Sequence, residues 1–288
     1  MRRSKTLLAA ALATASLAAL LAACGDDEPP ATGASPDGGD DATLQADAST
    51  APEDAPSSGD DADAGTDASR CDDKGLLAAY AFDEAAGALV RDCGPLRMDG
   101  TLEEADASAT RGTRNGGGAL EVAPGEGFVA IGPRPELELT GAFSVAAFVR
   151  SDVAPGAAVG VVWHRPDLGW ELALDAGGAL HVTLGLAPDE SLDATFPPLT
   201  PGAWTHVAFV YEPGFRLELF VDGASVTRIT TVDGGPLPPA NVAPPTEPTG
   251  LRFGHLPATP STWRGGIDEV RIYSRWLNDS EIASLAAR

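Results

Sequence analysis

Cutting a glycosidic bond takes two carboxyl groups, one to donate a proton and one to act as base or nucleophile. The chain offers Glu136-Leu137-Glu138, and the pairs Glu171/Asp175 and Glu218/Asp222, each spaced by four. Asp175 and Asp222 fall in turn-forming stretches, Asp175-Ala176-Gly177-Gly178 and Asp222-Gly223. No Gly-x-Ser-x-Gly, His-Glu-x-x-His or phosphate-cradling glycine loop occurs. A second group of side chains suits recognition. Trp163, His164, Arg165, Trp170 and Trp263 combine flat apolar faces with polar neighbours, as stacking against a sugar ring requires. Ordinary packing is the alternative for each of them. A third group, Asp83, Asp92 and Asp268, supplies the hard oxygens that Ca²⁺ collects in sets of about six to eight. The alternative is that Asp83 and Asp268 cap turns and pair with Arg91, Arg97 or Arg271.

The elements that must position these groups are short strands. Apolar segments alternate with Gly, Pro, Asp and Asn turns throughout residues 71–288. Strands are predicted at Leu76–Phe82, Phe143–Arg150, Gly169–Leu174, Ala179–Leu184, Trp204–Tyr211, Phe215–Val221, Ala224–Thr230, Leu251–Gly254 and Ile267–Tyr273. Asp175–Gly178 and Glu212-Pro213-Gly214 read as hairpin turns. Many short strands at regular spacing indicate an all-β, two-sheet antiparallel sandwich or jelly roll. Only Asn278–Leu285 reads as a helix, with a capping residue before its apolar positions. It is expected to cover one sheet edge. Pro236–Pro248 is a proline-rich insertion before the Leu251 strand.

The first 70 residues differ. Met1-Arg2-Arg3-Ser4-Lys5 is basic, and an apolar run extends from Leu7 to Ala23. This is the layout of a secretory signal. The run ends in Leu21-Ala22-Ala23-Cys24, which resembles the lipobox of bacterial lipoproteins. The resemblance implies a signal peptide over 1–23, cleavage before Cys24, and lipidation of that cysteine. Gly25 rather than Asp follows it, which by that family's sorting rule favours the outer membrane and leaves periplasmic against surface exposure open. From Gly25 to Ser69 there is no Lys, Arg or aromatic residue, and Leu44 is the one large aliphatic. Such a stretch cannot bury enough apolar surface to fold. Residues 24–70 are therefore expected to form a disordered, lipid-anchored tether with a root-mean-square span of roughly 35–40 Å.

The formal net charge is −23. Residues 25–69 hold 13 acids and no base, and residues 71–288 hold 29 acids against 15 bases. Such a surface repels nucleic acid, whose binding needs Lys and Arg clusters, and it repels anionic lipid. Neutral ligands, cationic ligands or Ca²⁺ fit it better. Membrane association is expected through the lipid anchor alone, and the chain is expected to be a monomer. With Cys24 lipidated, Cys71 and Cys93 remain in an exported protein, where oxidation is the default. A Cys71–Cys93 disulfide is predicted, with a pair of free thiols as the alternative.

Gly202-Ala203-Trp204-Thr205-His206-Val207-Ala208-Phe209-Val210-Tyr211, followed by Leu217-Glu218-Leu219-Phe220-Val221-Asp222-Gly223, resembles the signature of LamG-like jelly-roll domains. These belong to the concanavalin A-like lectin/glucanase superfamily. Gly265-Gly266-Ile267-Asp268-Glu269-Val270-Arg271-Ile272-Tyr273-Ser274-Arg275 resembles the family's terminal strand, and Gly75–Glu84 its first strand. Asp99-Gly100-Thr101-Leu102 and Gly117-Gly118-Ala119-Leu120 match two further landmarks in order. The resemblance implies that the first and last strands lie side by side, bringing Asp83 and Asp268 together as a structural Ca²⁺ site with Asp92. It implies packing roles for His206 and Trp204. Glucanases of the superfamily carry Glu-x-Asp-x-Glu on one strand. Glu136-Leu137-Glu138 lacks the third acid, so the chain is expected not to be an enzyme. The expected function is non-catalytic recognition of a glycan or extracellular polymer, with a protein-interaction or adhesion domain as the alternative and a cryptic hydrolase behind both.

Overall fold

Strict alternation over consecutive residues sends every second side chain to the same face of a strand. Phe143, Val145, Ala147 and Val149 are therefore buried on one face of a single strand. The computed structural model describes residues 71–103, 109–123, 127–152, 159–163, 169–174, 179–187, 190–238, 250–254 and 264–288. The signal peptide, Cys24, the tether and most of the Pro236–Pro248 insertion lie outside the described residues. In chain order the strands are β1 (Leu76–Tyr80), β2 (Leu89–Val90), β3 (Gly100–Glu103), β4 (Ala109–Arg114), β5 (Gly117–Val122) and β6 (Phe128–Ile131). Next come β7 (Phe143–Ser151), β8 (Val159–Trp163), β9 (Trp170–Leu174), β10 (Ala179–Ala187), β11 (Glu190–Pro198) and β12 (Thr205–Glu212). The last are β13 (Arg216–Val221), β14 (Ala224–Ile229), β15 (Thr231–Val232), β16 (Gly235–Pro236), β17 (Leu251–Phe253) and β18 (Gly265–Tyr273), followed by helix α1 (Asp279–Ala286). Each predicted strand is present within a few residues. Several, including β6, β8 and β11, were not predicted.

Sixteen strands form two antiparallel eight-stranded sheets, and β15 and β16 pair as a separate ribbon. The first runs β14-β13-β12-β7-β18-β5-β4, with β1 also paired to β18. The second runs β11-β10-β9-β8-β17-β6-β3-β2. Their facing sides share one core, in which Phe143 meets Phe209 at 5.7 Å and Trp170 meets Phe209 at 5.9 Å between ring centroids. At the other end Phe253 packs edge-on to Tyr80 and Phe82, at 5.1 and 5.8 Å. This is the jelly-roll sandwich expected. An interior gap lined by Val145, Leu172, Phe196 and Phe209 is too small to hold a water molecule.

The first and last strands do pair, with Leu76 opposite Tyr273 and Tyr80 opposite Val270. β18 shares that edge between two strands, since Gly265–Ile267 pair with β5 instead. The changeover coincides with a bulge between Asp268 and Arg271 on the β7 side. Glu269 takes a positive φ of 49° there, so the strand twists locally and re-aims its side chains.

Helix α1 starts at Asn278, whose side chain accepts from the Glu281 N–H while the Glu281 side chain accepts from the Asn278 N–H. This reciprocal cap satisfies two otherwise orphan donors. Ile282 and Leu285 are buried with Ala146, Ala208, Val210, Phe220 and Tyr273. The helix thus lies on the outer face of the first sheet rather than along an edge. Small residues on β7 and β12 form its seat, and an added Cβ at Gly223 (φ +82°) would sit 3.0 Å from the Ala283 Cα. Cys71 and Cys93 form the predicted disulfide. The Cys93 N–H donates to the Ala79 carbonyl, so the bond ties residue 71 to the first strand as well.

Candidate functional site

The outer face of the second sheet carries a row of residues in register across all eight strands. Asp193 stands opposite Thr183, Thr183 opposite Glu171, and Glu171 opposite Trp163. Trp163 stands opposite Arg252, Arg252 opposite Ala130, Ala130 opposite Thr101, and Thr101 opposite Leu89. Asp193, Thr183, Glu171 and Arg252 make much of this row polar, because they alternate with the inward-facing Leu192, Val182, Leu172 and Phe253. Asp193, Thr101 and Leu89 are exposed, and Thr183, Glu171, Arg252 and Ala130 are half-buried.

Two clusters differ in charge along that row. The Arg252 guanidinium lies over the half-buried Phe128 ring at 4.7 Å from its centroid. On the other side of Trp163, the Thr183 hydroxyl donates to Asp193 Oδ1 at 2.7 Å, and Ser191 donates to Oδ2 at 3.2 Å. Glu171 has no hydrogen-bond or ion-pair partner among the described residues, and burial raises its carboxyl above the usual carboxylate range, helped by the charge of Asp193. The arrangement offers hydrogen-bond acceptors, hydroxyls and an arginine along one sheet face, which is chemistry suited to recognition.

The three acids proposed for calcium are not brought into one group. Asp92 is 1% exposed, and its carboxylate accepts the N–H groups of Ala79, Gly94 and Met98 at 2.8, 2.7 and 2.7 Å. Asp83 accepts from the Gly118 N–H at 2.6 Å. Asp268 is paired with Arg114 at 2.5 Å and accepts from the Glu269 N–H at 2.7 Å. Strand pairing brought β1 and β18 together as expected, but each carboxylate is held by backbone amides or by an arginine. No group of three or more His, Cys, Asp or Glu that could hold a metal exists among the described residues. The donor set therefore does not fit Ca²⁺. Arg114, not the expected Arg91, Arg97 or Arg271, is the partner of Asp268.

The aromatic candidates also separate. Trp170 is 2% exposed and packs between the sheets on Phe143 and Phe209. Its place in Trp170-Glu171-Leu172-Ala173-Leu174 puts it on the inward parity with Leu172 and Leu174, so it is a core residue and not a ligand contact. Trp163 closes β8 and takes its register position in the outer row. His164, Arg165 and Trp263 lie outside the described residues. Trp204 is half-buried rather than core. It lies against the β18 backbone at Gly266, where a Cβ would come within 2.3 Å of its ring, and Arg150 stacks on it at 5.1 Å. Arg150 is itself held by Glu121 and Asp152.

His206 packs as expected. It is 2% exposed, edge-on to Phe148 at 5.0 Å, with the Arg114 guanidinium 3.8 Å from the centroid of that same ring. Its Nδ1 has no hydrogen-bond partner among the described residues. Burial lowers its pKa to about 4, with Asp222 pulling up and Arg114 pushing down. Glu218 is not an available acid, because Arg216, Arg228 and Ser225 all bind its fully buried carboxylate. Two features escaped the sequence reading. Polar residues at Glu171, Thr183 and Asp193 alternate with apolar ones, a signal that was legible. Phe215 and Trp276, 67% and 43% exposed, carried no such signal.

A family model described as the concanavalin A-like lectin/glucanases superfamily matches residues 124–283. No curated protein matches the chain. Among solved structures, the binding domain of Paraclostridial Mosquitocidal Protein 1 superposes with a TM-score of 0.60 at 13% identity, covering 74% of this chain and 52% of that one. The binding domain of botulinum neurotoxin DC, solved with rat synaptotagmin II, gives 0.58 at 12% identity, covering 74% and 51%. Trypanosoma rangeli sialidase in complex with sialic acid gives 0.53 at 19% identity, covering 74% and 32%. The chain thus spans about half the length of the neurotoxin-type structures and a third of the sialidase. At these identities the likeness establishes the fold.

Proposed function

This chain belongs to the concanavalin A-like lectin/glucanases superfamily, and from that premise we propose that its folded domain is a non-catalytic binding module that recognises a glycan or extracellular polymer. In this reading Cys24 carries the lipid, residues 24–70 are the tether, and the domain works outside the cytoplasm, with the outer membrane favoured. The observation that carries the reading is the outer row of the second sheet, where the register sets Arg252, Thr183, Glu171 and Asp193 in line with Trp163. Structures with this fold include botulinum neurotoxin type C, whose cell entry depends on interaction with two ganglioside molecules, which supports the class of ligand. The acids that a hydrolase would need are absent as a Glu-x-Asp-x-Glu run. A glycan array probed with residues 71–288 tests the reading. Hits that Arg252→Ala and Thr183→Val weaken are expected, and an array without hits refutes it. Mass spectrometry of the mature N-terminus tests the anchor, with diacylated Cys24 expected.

A protein-interaction role is the second reading. It is favoured by the exposed Phe215 and Trp276, the latter under the Arg216 guanidinium at 5.5 Å. A crosslinked envelope partner lost in a Phe215→Ser, Trp276→Ser double variant would select it.

A further inference from the structure

We infer that the segment from Cys71 to Leu76 is a mechanical latch, which carries a pull arriving through residue 70 past strand β1 and into the body of the domain. The inference rests on the tethered reading above, in which residues 24–70 join the domain to a lipid anchor. A domain that holds a fixed polymer from such a tether bears load at its first folded residue.

The topology makes that residue a weak place to pull. β1 has five residues and pairs with β18 and with no other described strand. The pairing is antiparallel and begins with Leu76 opposite Tyr273, so the end that meets the load is the end that opens first. β1 lies in the first sheet and the outer row in the second. A pull between tether and ligand therefore crosses the sandwich and loads the β1 hydrogen bonds one after another. Each such bond contributes little by itself, and bonds met in series never resist together. If β1 peels away, Ala78 and Tyr80 leave the core with it.

The structure diverts the load before it reaches Leu76. The Cys71–Cys93 disulfide passes it to Cys93. The Cys93 N–H donates to the Ala79 carbonyl, and the neighbouring Asp92 carboxylate accepts the Ala79 N–H at 2.8 Å. Asp92 also holds the Gly94 and Met98 N–H groups at 2.7 Å each, and the Met98 carbonyl accepts from the Tyr80 hydroxyl at 2.7 Å. A pull on Cys93 thus meets β1 at its far end, on a set of bonds that share the load. A second fastening lies at Asp73, which accepts from the Tyr273 hydroxyl at 2.8 Å and faces Arg271 and Arg288 at 3.6 Å each. Arg275 donates to the Lys74 carbonyl at 2.6 Å, and the Ser274 N–H donates to the Gly75 carbonyl at 2.9 Å. The residues ahead of β1 are thereby tied to the end of β18 that a peeling strand would leave first.

Optical-tweezer unfolding of the full chain at constant force tests the latch in two geometries. One pair of handles joins residue 70 to Asp193 on the outer row. The other joins Asn115, in the turn between β4 and β5, to Asp193, so the pull crosses the sandwich without passing through the latch. In the first geometry the double variant Cys71→Ser, Cys93→Ser shortens the folded lifetime about tenfold or more, as expected when one or two backbone hydrogen bonds no longer resist together. In the second geometry its lifetime matches that of the wild type. Asp73→Ala keeps the disulfide and shortens the lifetime by a smaller factor, again in the first geometry alone; it decides the question if the cysteine variant does not fold. A staple that acts only on the entropy of the unfolded chain affects the two geometries alike. Equal shortening in both, or none in the first, therefore overturns the latch. The handles supply the load directly, so this result does not depend on lipidation. An unmodified Cys24 in the mass spectrum overturns the anchor instead, and with it the load assigned to the latch.

Discussion

Replacing His206 with Phe should change how stability depends on pH, and the size of the change follows from where the ring sits. The imidazole is 2% exposed, beside Phe148 and Arg114, with no hydrogen-bond partner on Nδ1 among the described residues. Burial lowers its pKa from 6.5 to about 4. The folded chain therefore binds this proton more weakly than the unfolded chain does. Between those two pH values the unfolded state holds the extra proton, so stability falls as pH falls. Above 6.5 both states are neutral at this position and the full stability is present. Each pH unit is worth about 1.4 kcal/mol, so the shift amounts to about 3 kcal/mol lost on the way down to about pH 4. Phenylalanine keeps the ring contact with Phe148 but cannot titrate. Urea unfolding of both proteins at a series of pH values isolates the effect, because every other titrating group is common to the pair. The wild type should lose about 3 kcal/mol relative to His206→Phe between neutral pH and about pH 4, with unchanged m. Parallel stability curves for the two proteins would refute the reasoning.

Other outcomes follow from the same geometry. Reduction of Cys71–Cys93, or Cys71→Ser, should lower stability by about 3 kcal/mol in the chain-entropy model, read as a shifted urea midpoint. Arg114→Met leaves the buried Asp268 without its cation and should cost about 3–5 kcal/mol, most of it recovered in Arg114→Met, Asp268→Leu; a mild single-variant loss would mean the pair is solvated. EDTA should leave the melting temperature of residues 71–288 unchanged, because the carboxylates of Asp83, Asp92 and Asp268 are taken up by amides and Arg114. Trp170→Ala should cost about 3–5 kcal/mol by opening a cavity between the sheets, while leaving ligand affinity per folded molecule unaltered.

Some properties needed only the linear chain. Period-two alternation marks the strands because side-chain direction along a strand is local, and so Phe143–Ser151 and Thr205–Glu212 were found almost to the residue. The same parity rule places Trp170 inward with Leu172 and Leu174, and it overrules the aromatic-ligand expectation for that residue. The Asn278…Glu281 cap is equally local, because all its partners lie within one turn. The disulfide followed from two remaining cysteines and an expected compartment.

What a side chain meets across the sandwich was not readable in this way. β1 and β18 pair as expected, yet a bulge at Glu269 (φ 49°) re-aims the neighbouring chain, and Asp268 meets Arg114 from β4, 154 residues away in sequence. The amides that occupy Asp92 come from a strand and a loop brought together only by folding. Likewise the seat of α1 on a sheet face depends on small residues from β7 and β12 arriving side by side. The row from Asp193 to Leu89 is the clearest case. Its residues come from eight strands spread over the whole domain, and no spacing in the sequence joins them. Hydrogen-bonded register, which only the folded sheet sets, places Glu171 between Trp163 and Thr183.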